Sequence, residues 1–350
     1  MDMILNGSAS GSVASKLLAT GFNINALRPW VEDGKSFVTQ MVGNEAVAIQ
    51  TNETATLRKD DWVALDTAIL RAAQPRLKAV GDLRAAGLEY GLTNGLGRTV
   101  LEYARMSDIS PASVTMDGLE RGKNDRPVFD LVNLPLPITH SDFEFSARQI
   151  AASRNGGSPL DTTMAELAAR KVAESVEQTL LGNVAGTVFG GGTIQGYTNY
   201  THRITTVTLT DPTDSGWTPA TLVGEVLDMT VASMAAYHYG PWQLYYGPSW
   251  SRYMNDEYKA ESNDTLLTRL ARIDNIRGVS MLDYMEGLDL VLVQFTPDVV
   301  RIVNGMDLTT VQWETNGGML LHFKVMTIMV PQLRCDINNK TGIVHARVTS

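Results

Sequence analysis

Apolar positions recur along this chain in two rhythms, and the changes of rhythm divide it. Between residues 159 and 181, Leu160, Met164, Leu167, Val172, Val176 and Leu180 follow one another at gaps of three to five, a stripe of helical period. Ser158, Pro159 and Asp161 supply a helix start: an oxygen for free amides, a ring that presets φ, and an acid facing the positive helix end. Gly182 supplies the stop. At about 1.5 Å per residue this helix is roughly 35 Å long. Before it, residues 131–138 read as an apolar strand, separated from the helix by a polar segment.

A second helix is predicted from a cap at Asp60, with Trp62, Leu65, Ile69, Ala73, Leu77, Val80 and Arg84 along one side. Pro75 lies inside that pattern and predicts a kink or split near Gln74. Residues 87–127 are Gly-rich and polar, with strand-like pieces at 99–103 and 128–131 around a charged tip, 120–126. A loop of about forty residues is uncommon in a compact domain without a partner. The two pieces therefore predict a long protruding hairpin.

Beyond Gly196, helices and strands alternate. A helix begins at Thr218-Pro219 with Val223, Val226, Thr230, Met234 and Tyr237 on one side, and His238-Tyr-Gly-Pro-Trp242 ends it and opens a strand, 242–246. Further helices start at Pro248 and cover 265–272; strands cover 278–282, 288–295, 299–303 and 319–330. The fold class is α+β. Residues 1–57 differ from the rest, being rich in Gly, Ser, Asn and Thr with short apolar clusters around Phe22, Phe37 and 47–49. Such a segment cannot close a core alone and reads as a tail, or as an arm that orders against a neighbour.

Composition narrows the function. The chain has 350 residues, 44% of them hydrophobic, enough for two lobes. A net charge of −9 argues against a dedicated nucleic-acid binder, though not against a container for nucleic acid. Ordinary solubility accounts for the same charge. The single cysteine, Cys335, excludes an internal disulfide framework and a Cys-cluster zinc site. With no signal-like start and no apolar run of about 20 residues, a soluble protein made in the cytoplasm is expected. His140, His202, His238, His322 and His345 are scattered without metal-ligand spacing. Gly190-Gly-Gly192 and Gly34-Lys35-Ser36 lack the full spacing of a phosphate loop, and no Gly-x-Ser-x-Gly elbow is present. No catalytic residue, metal site or cofactor is predicted, and the chain is not expected to be an enzyme.

The strand 131–138, its polar approach and the sequence Ala168-Ala-Arg-Lys-Val-Ala-Glu174 resemble the spine-helix region of encapsulins and of phage capsid proteins with the Hong Kong 97 fold. Asp60-Asp-Trp-Val-Ala-Leu-Asp66 is similar to the encapsulin N-terminal helix on the shell's inner face, and the Tyr-Gly-Pro stop is similar as well. The resemblance covers about residues 60–335. It implies an N-terminal arm (1–59), an N-terminal helical segment (60–86), an extended loop hairpin (87–138), a peripheral domain with the spine helix (139–195), an axial domain (196–298), a return to the peripheral domain (299–335) and a C-terminal tail (336–350).

What the resemblance implies for function is a major capsid protein of a tailed bacteriophage. Copies would self-assemble as hexamers and pentamers into an icosahedral virion shell around double-stranded DNA, made in a host bacterial cytoplasm. The alternative is an encapsulin nanocompartment shell around a cargo enzyme. Implied partners are further copies of the chain, a portal, scaffolding or decoration proteins, and packaged DNA by non-specific contact; no membrane is implied. The long arm, longer loop and tail depart from encapsulins toward a virus. Inter-subunit contact candidates are Arg105, Glu120, Arg121, Lys123, Asp125 and Arg126 on the loop and Phe22 and Phe37 on the arm. Some members of the fold join a loop lysine to a neighbour's asparagine with a glutamate's help. Lys123, Asn316 and Glu314 are the candidates here, without a matching motif around them.

Overall fold

The computed structural model describes residues 28–42, 45–51, 57–106, 126–155, 161–184, 186–259 and 264–348, with 112, 114–117 and 119 of the long loop. The first stretch carries β1 (Trp30–Glu32), β2 (Lys35–Val42), β3 (Glu45–Thr51), α1 (Lys59–Ala73), α2 (Lys78–Ala85) and β4 (Glu89–Gly91). There follow β5 (Val100–Met106), β6 (Phe129–Pro135), β7 (Thr139–Ser146), α3 (Ala147–Asn155), α4 (Thr163–Leu181), β8 (Val188–Phe189), β9 (Gly192–Thr193) and β10 (Thr208–Leu209). The remainder forms α5 (Pro219–Ala235), β11 (Trp242–Tyr246), α6 (Ser251–Met254), α7 (Leu266–Ala271) and β12 (Ile276–Met281). The last elements are β13 (Leu290–Gln294), β14 (Val300–Thr315), β15 (Leu320–Leu333) and β16 (Ile343–Val348). The chain passes three times through each of two compact units. One holds the described residues of 1–99, 136–180 and 302–330, the other those of 100–135, 181–301 and 331–350.

The first unit is built on a sheet of order β4-β14-β15-β7. Residues 139–155, read from the sequence as a polar approach, form β7 and α3 instead. Phe143 and Phe145 alternate with Asp142 and Glu144, so β7 buries one face and wets the other. Phe143 stacks on Phe323 of β15 at 5.1 Å, and Trp62 of α1 meets Phe323 edge-on at 5.9 Å. α4 joins this core through Ala165, Ala168, Ala169, Val172 and Ala173. Val172, Val176 and Leu180 are buried as their spacing predicts, but Met164 and Leu167 are exposed. The contact face at the start of the helix is made of small alanines, and the larger Met164 and Leu167 lie on the exposed side.

α1 begins one residue before Asp60, and it is Asp61 that accepts the Arg58 amide at 2.9 Å. Asp60 is not the cap. Pro75 splits the helix as expected: α1 ends at Ala73, a tight turn covers Gln74–Arg76, and α2 restarts at Lys78. Leu77 provides no side-chain cap for α2. Glu177 of α4 does so from 98 residues away, its Oε1 accepting from the Ala79 amide at 2.7 Å and its Oε2 from the Val80 amide at 3.3 Å.

β1, β2 and β3 form an antiparallel meander. Trp30 is buried in the first unit's core, and Phe37 stacks on it at 4.9 Å. Arg28 is buried against Asp66 at 2.6 Å and lies over the Trp62 ring at 4.6 Å. Trp30 and Leu57 therefore lie in the first unit's core, and Phe37, a candidate for subunit contact, is half-buried against it. Phe22 lies outside the described residues.

The second unit carries a sheet of order β10-β16-β13-β11-β12. Residues 336–350, expected as a tail, supply β16, with Ile343, Val344 and Ala346 fully buried between β10 and β13. α5 and α7 cover this sheet through Leu222, Val226, Met229, Leu266 and Leu270. Thr218 caps α5 by accepting the Thr221 amide at 3.3 Å. Met234 and Tyr237, expected on the buried side, are exposed. The helix has ended before Tyr237, whose φ of 67° takes it off the helical face.

Candidate functional site

β5 and β6 pair antiparallel from Val100↔Pro135 to Met106↔Phe129, a two-stranded ribbon. Side chains alternate across a strand, so Phe129 and Leu131 share one face. They are 62% and 70% exposed. Val128 beside them and Val114, Met116 and Leu119 in the loop are exposed too. A two-stranded ribbon is marginal in water by itself, and an exposed apolar face on it is a candidate contact surface. Sequence reasoning concentrated on the charges of the tip and missed this face. The signal available was the Phe-x-Leu alternation at 129–131.

The root of the ribbon is polar and closely fitted. A cleft of about 320 Å³ is lined by Tyr103, Arg105, Asp130, Tyr200, His202 and Cys335. Arg105 pairs with Asp130 across the two strands, and its Nη1 donates to Cys335 Sγ at 3.3 Å. The Tyr103 hydroxyl donates to the Leu333 carbonyl at 3.4 Å, and Arg334 lies 5.8 Å over the Tyr103 ring. Asn133 Nδ2 donates to the Gly190 carbonyl at 2.7 Å. Gly192 sits so close to the Asn133 carbonyl that a Cβ would stand 2.0 Å from that oxygen, which only glycine avoids.

Electrostatics in the cleft follow from burial. Burial pushes the Tyr103 and Tyr200 hydroxyls up, with Cys335 adding to the effect at Tyr200. Burial and then the Arg105 charge push His202 down. The hydrogen bond to Asp130 holds the Arg105 guanidinium more firmly charged. Arg105 thus ties β5 to β6 through Asp130 and to Cys335, and the Tyr103 hydroxyl ties β5 to the Leu333 carbonyl. Arg105, a candidate for contact with another subunit, pairs with Asp130 and Cys335 of its own chain.

Of the other loop candidates, Arg126 is exposed, while Glu120, Arg121, Lys123 and Asp125 lie outside the described residues. Glu314 stands exposed near the end of β14, and Asn316 occupies the turn after it at φ 55°. His345, scattered by sequence, is buried: its Nδ1 accepts from Arg203 at 3.1 Å and its Nε2 faces Asp289 at 2.8 Å. Among the described residues no cluster of three or more His, Cys, Asp or Glu side chains is arranged to hold a metal ion, and no helix is long and apolar enough to cross a membrane.

The sequence profile of a family of unknown function, DUF6260, matches residues 51–346. The chain belongs to DUF6260. No curated protein matches this member of the family. In structure, the DUF6260 chain is similar to a virus-like particle from Pyrococcus furiosus, with a TM-score of 0.52, 16% identity, and 81% of this chain and 97% of that chain covered. It is similar to the capsid of Myoviridae phage XM1, with a TM-score of 0.53, 10% identity, and 75% and 90% covered. It is also similar to the capsid of an empty GTA particle, with a TM-score of 0.50, 15% identity, and 87% and 96% covered. The DUF6260 chain has the Hong Kong 97 fold, as the resemblance in its sequence implies.

Proposed function

We propose that this chain is the major capsid protein of a tailed bacteriophage, whose copies join as hexamers and pentamers into an icosahedral shell around packaged double-stranded DNA. The observation that carries the reading is the ribbon β5–β6, with Phe129 and Leu131 exposed on one face, on a chain of capsid fold. Laid over a neighbouring copy, the ribbon would lose that apolar face from water, at about 25 cal/mol per Å². The charged tip, Glu120, Arg121, Lys123, Asp125 and Arg126, would pair with the neighbour. Such exposed pairs are each worth about 0–1 kcal/mol and gain weight by repetition over the shell.

The role is structural and uses no cofactor. A net charge of −9 suits a wall that confines DNA by non-specific contact without gripping it. A portal and scaffolding or decoration proteins would be further partners. The second reading is an encapsulin shell around a cargo enzyme, and the likeness to a virus-like particle from Pyrococcus furiosus is compatible with it. Electron microscopy of the purified full chain tests both. Closed shells support a shell protein, and a monodisperse small oligomer at all concentrations overturns it. Nuclease-protected DNA in particles from the native source selects the capsid; a co-purified enzyme selects the encapsulin.

A further inference from the structure

α5 is apolar on two sides. Its inner face, Leu222, Val223, Val226 and Met229, is buried in the core of the second unit. Its outer face carries Ala220, Gly224, Leu227, Val231 and Met234, spaced four, three, four and three, and all exposed. Leu227 is 42% and Val231 61% exposed, and Tyr237 and Tyr239 continue the exposed run past the helix end. The helix contains no Lys or Arg, and Asp228 is the one charged residue among its exposed positions. A surface helix ordinarily sets charges opposite its apolar stripe. A four-three seam is instead the pattern by which a helix seats its side chains into another protein surface. At Gly224 nothing lies within 4 Å of where a Cβ would stand, so the seam is open there to close approach.

We infer that the outer face of α5 is the surface on which a second copy of this chain docks, copy after copy around a local symmetry axis. The inference rests on the shell reading above and adds the residues that join neighbours within a ring. Leu227, Val231 and Met234 make one exposed apolar patch along the helix, a feature often found at interaction sites. One face of a helix this short presents less than the roughly 800 Å² per partner of a stable standard interface. A contact of that size does not hold a free pair together, but it serves where the same contact repeats and the ring closes. Head-to-tail repetition with closure is the geometry that forms rings. That argues for a second copy in an assembly and against a freely binding foreign protein.

The test uses the full chain. Val231→Asp places a charge on an exposed position and should leave folded subunits, by circular dichroism, whose assembly by light scattering needs at least ten-fold more protein. Normal shells at the wild-type concentration would overturn the inference and leave the shell reading standing. If Val231→Asp does not fold, Val231→Cys decides: a maleimide-polyethylene glycol should label it at least ten-fold more slowly in shells than in free subunits. The wild-type chain, whose single Cys335 is buried, sets the background. Equal labelling rates would overturn the α5 seam alone. A wild-type chain that never forms shells would overturn the shell reading and the seam with it.

Discussion

Replacing Glu177 by Ala removes the acceptor for two amides at the start of α2. Ala79, Val80 and Leu83 are fully buried, so water cannot take the place of the lost oxygens. A hydrogen bond to a charged acceptor contributes about 1.5–3 kcal/mol, and a helix cap about 0.5–2 kcal/mol. These overlap here, since the two bonds are the cap, and we expect a loss of about 3 kcal/mol for Glu177→Ala. Glu177→Gln keeps one acceptor oxygen and sets an amide donor against the other N–H, so about half that loss is expected. With a urea slope of about 1–3 kcal/mol per M, the Ala variant's midpoint should fall by at least about 1 M. Unfolding of the unassembled subunit can be followed by fluorescence, with amide hydrogen exchange over 78–85 as the local readout. A Glu177→Ala midpoint within about 0.2 M of wild type, with unchanged protection of Ala79 and Val80, would show that α2 does not depend on this remote cap.

Val176→Asp should bury an unpaired charge in the first unit, cost several kcal/mol and yield insoluble protein; soluble subunits with wild-type urea midpoints would contradict the packing of α4. Asp66→Asn leaves the fully buried Arg28 without its counter-charge and should cost about 3–5 kcal/mol, whereas Arg28→Met with Asp66→Leu should recover most of it, both read from urea midpoints. Changing Arg121, Lys123 and Arg126 together to Glu should weaken assembly most at low salt without altering circular dichroism of the subunit, as light scattering across a salt series would show.

The large periodic residues made much of the fold legible. Val172, Val176 and Leu180 marked the buried side of α4, Pro75 marked the split between α1 and α2, and the strand pieces around 99–103 and 128–131 became β5 and β6. What sequence concealed has physical causes. Alanine carries little hydropathy, so the true contact face of α4, through Ala165, Ala169 and Ala173, was hidden behind the larger Met164 and Leu167. β7 alternates only two phenylalanines with charges, and a half-wetted strand is too short a signal against a polar background. The meander β1–β3 draws on long-range packing of Trp30 against α1, which no local pattern encodes. At the ribbon, Arg105 was singled out as a charge, but its partners Asp130 and Cys335 are 25 and 230 residues away along the chain.

The interleaving of the two units bears on how the chain folds. The core of the first unit needs Leu321, Phe323 and Val325, which follow the last residue of α4 by about 140 positions. Until they are synthesised, the aromatic face of β7 and the alanine face of α4 have no sheet to close on. Translation at about 5–20 residues per second leaves those surfaces open for about 7–28 seconds, the condition under which chains aggregate or engage chaperones. Neither unit is a contiguous stretch, so neither can be expressed as a simple fragment. A nascent copy therefore stays unfinished until its last strands emerge, and the assembly proposed above would have to wait for them.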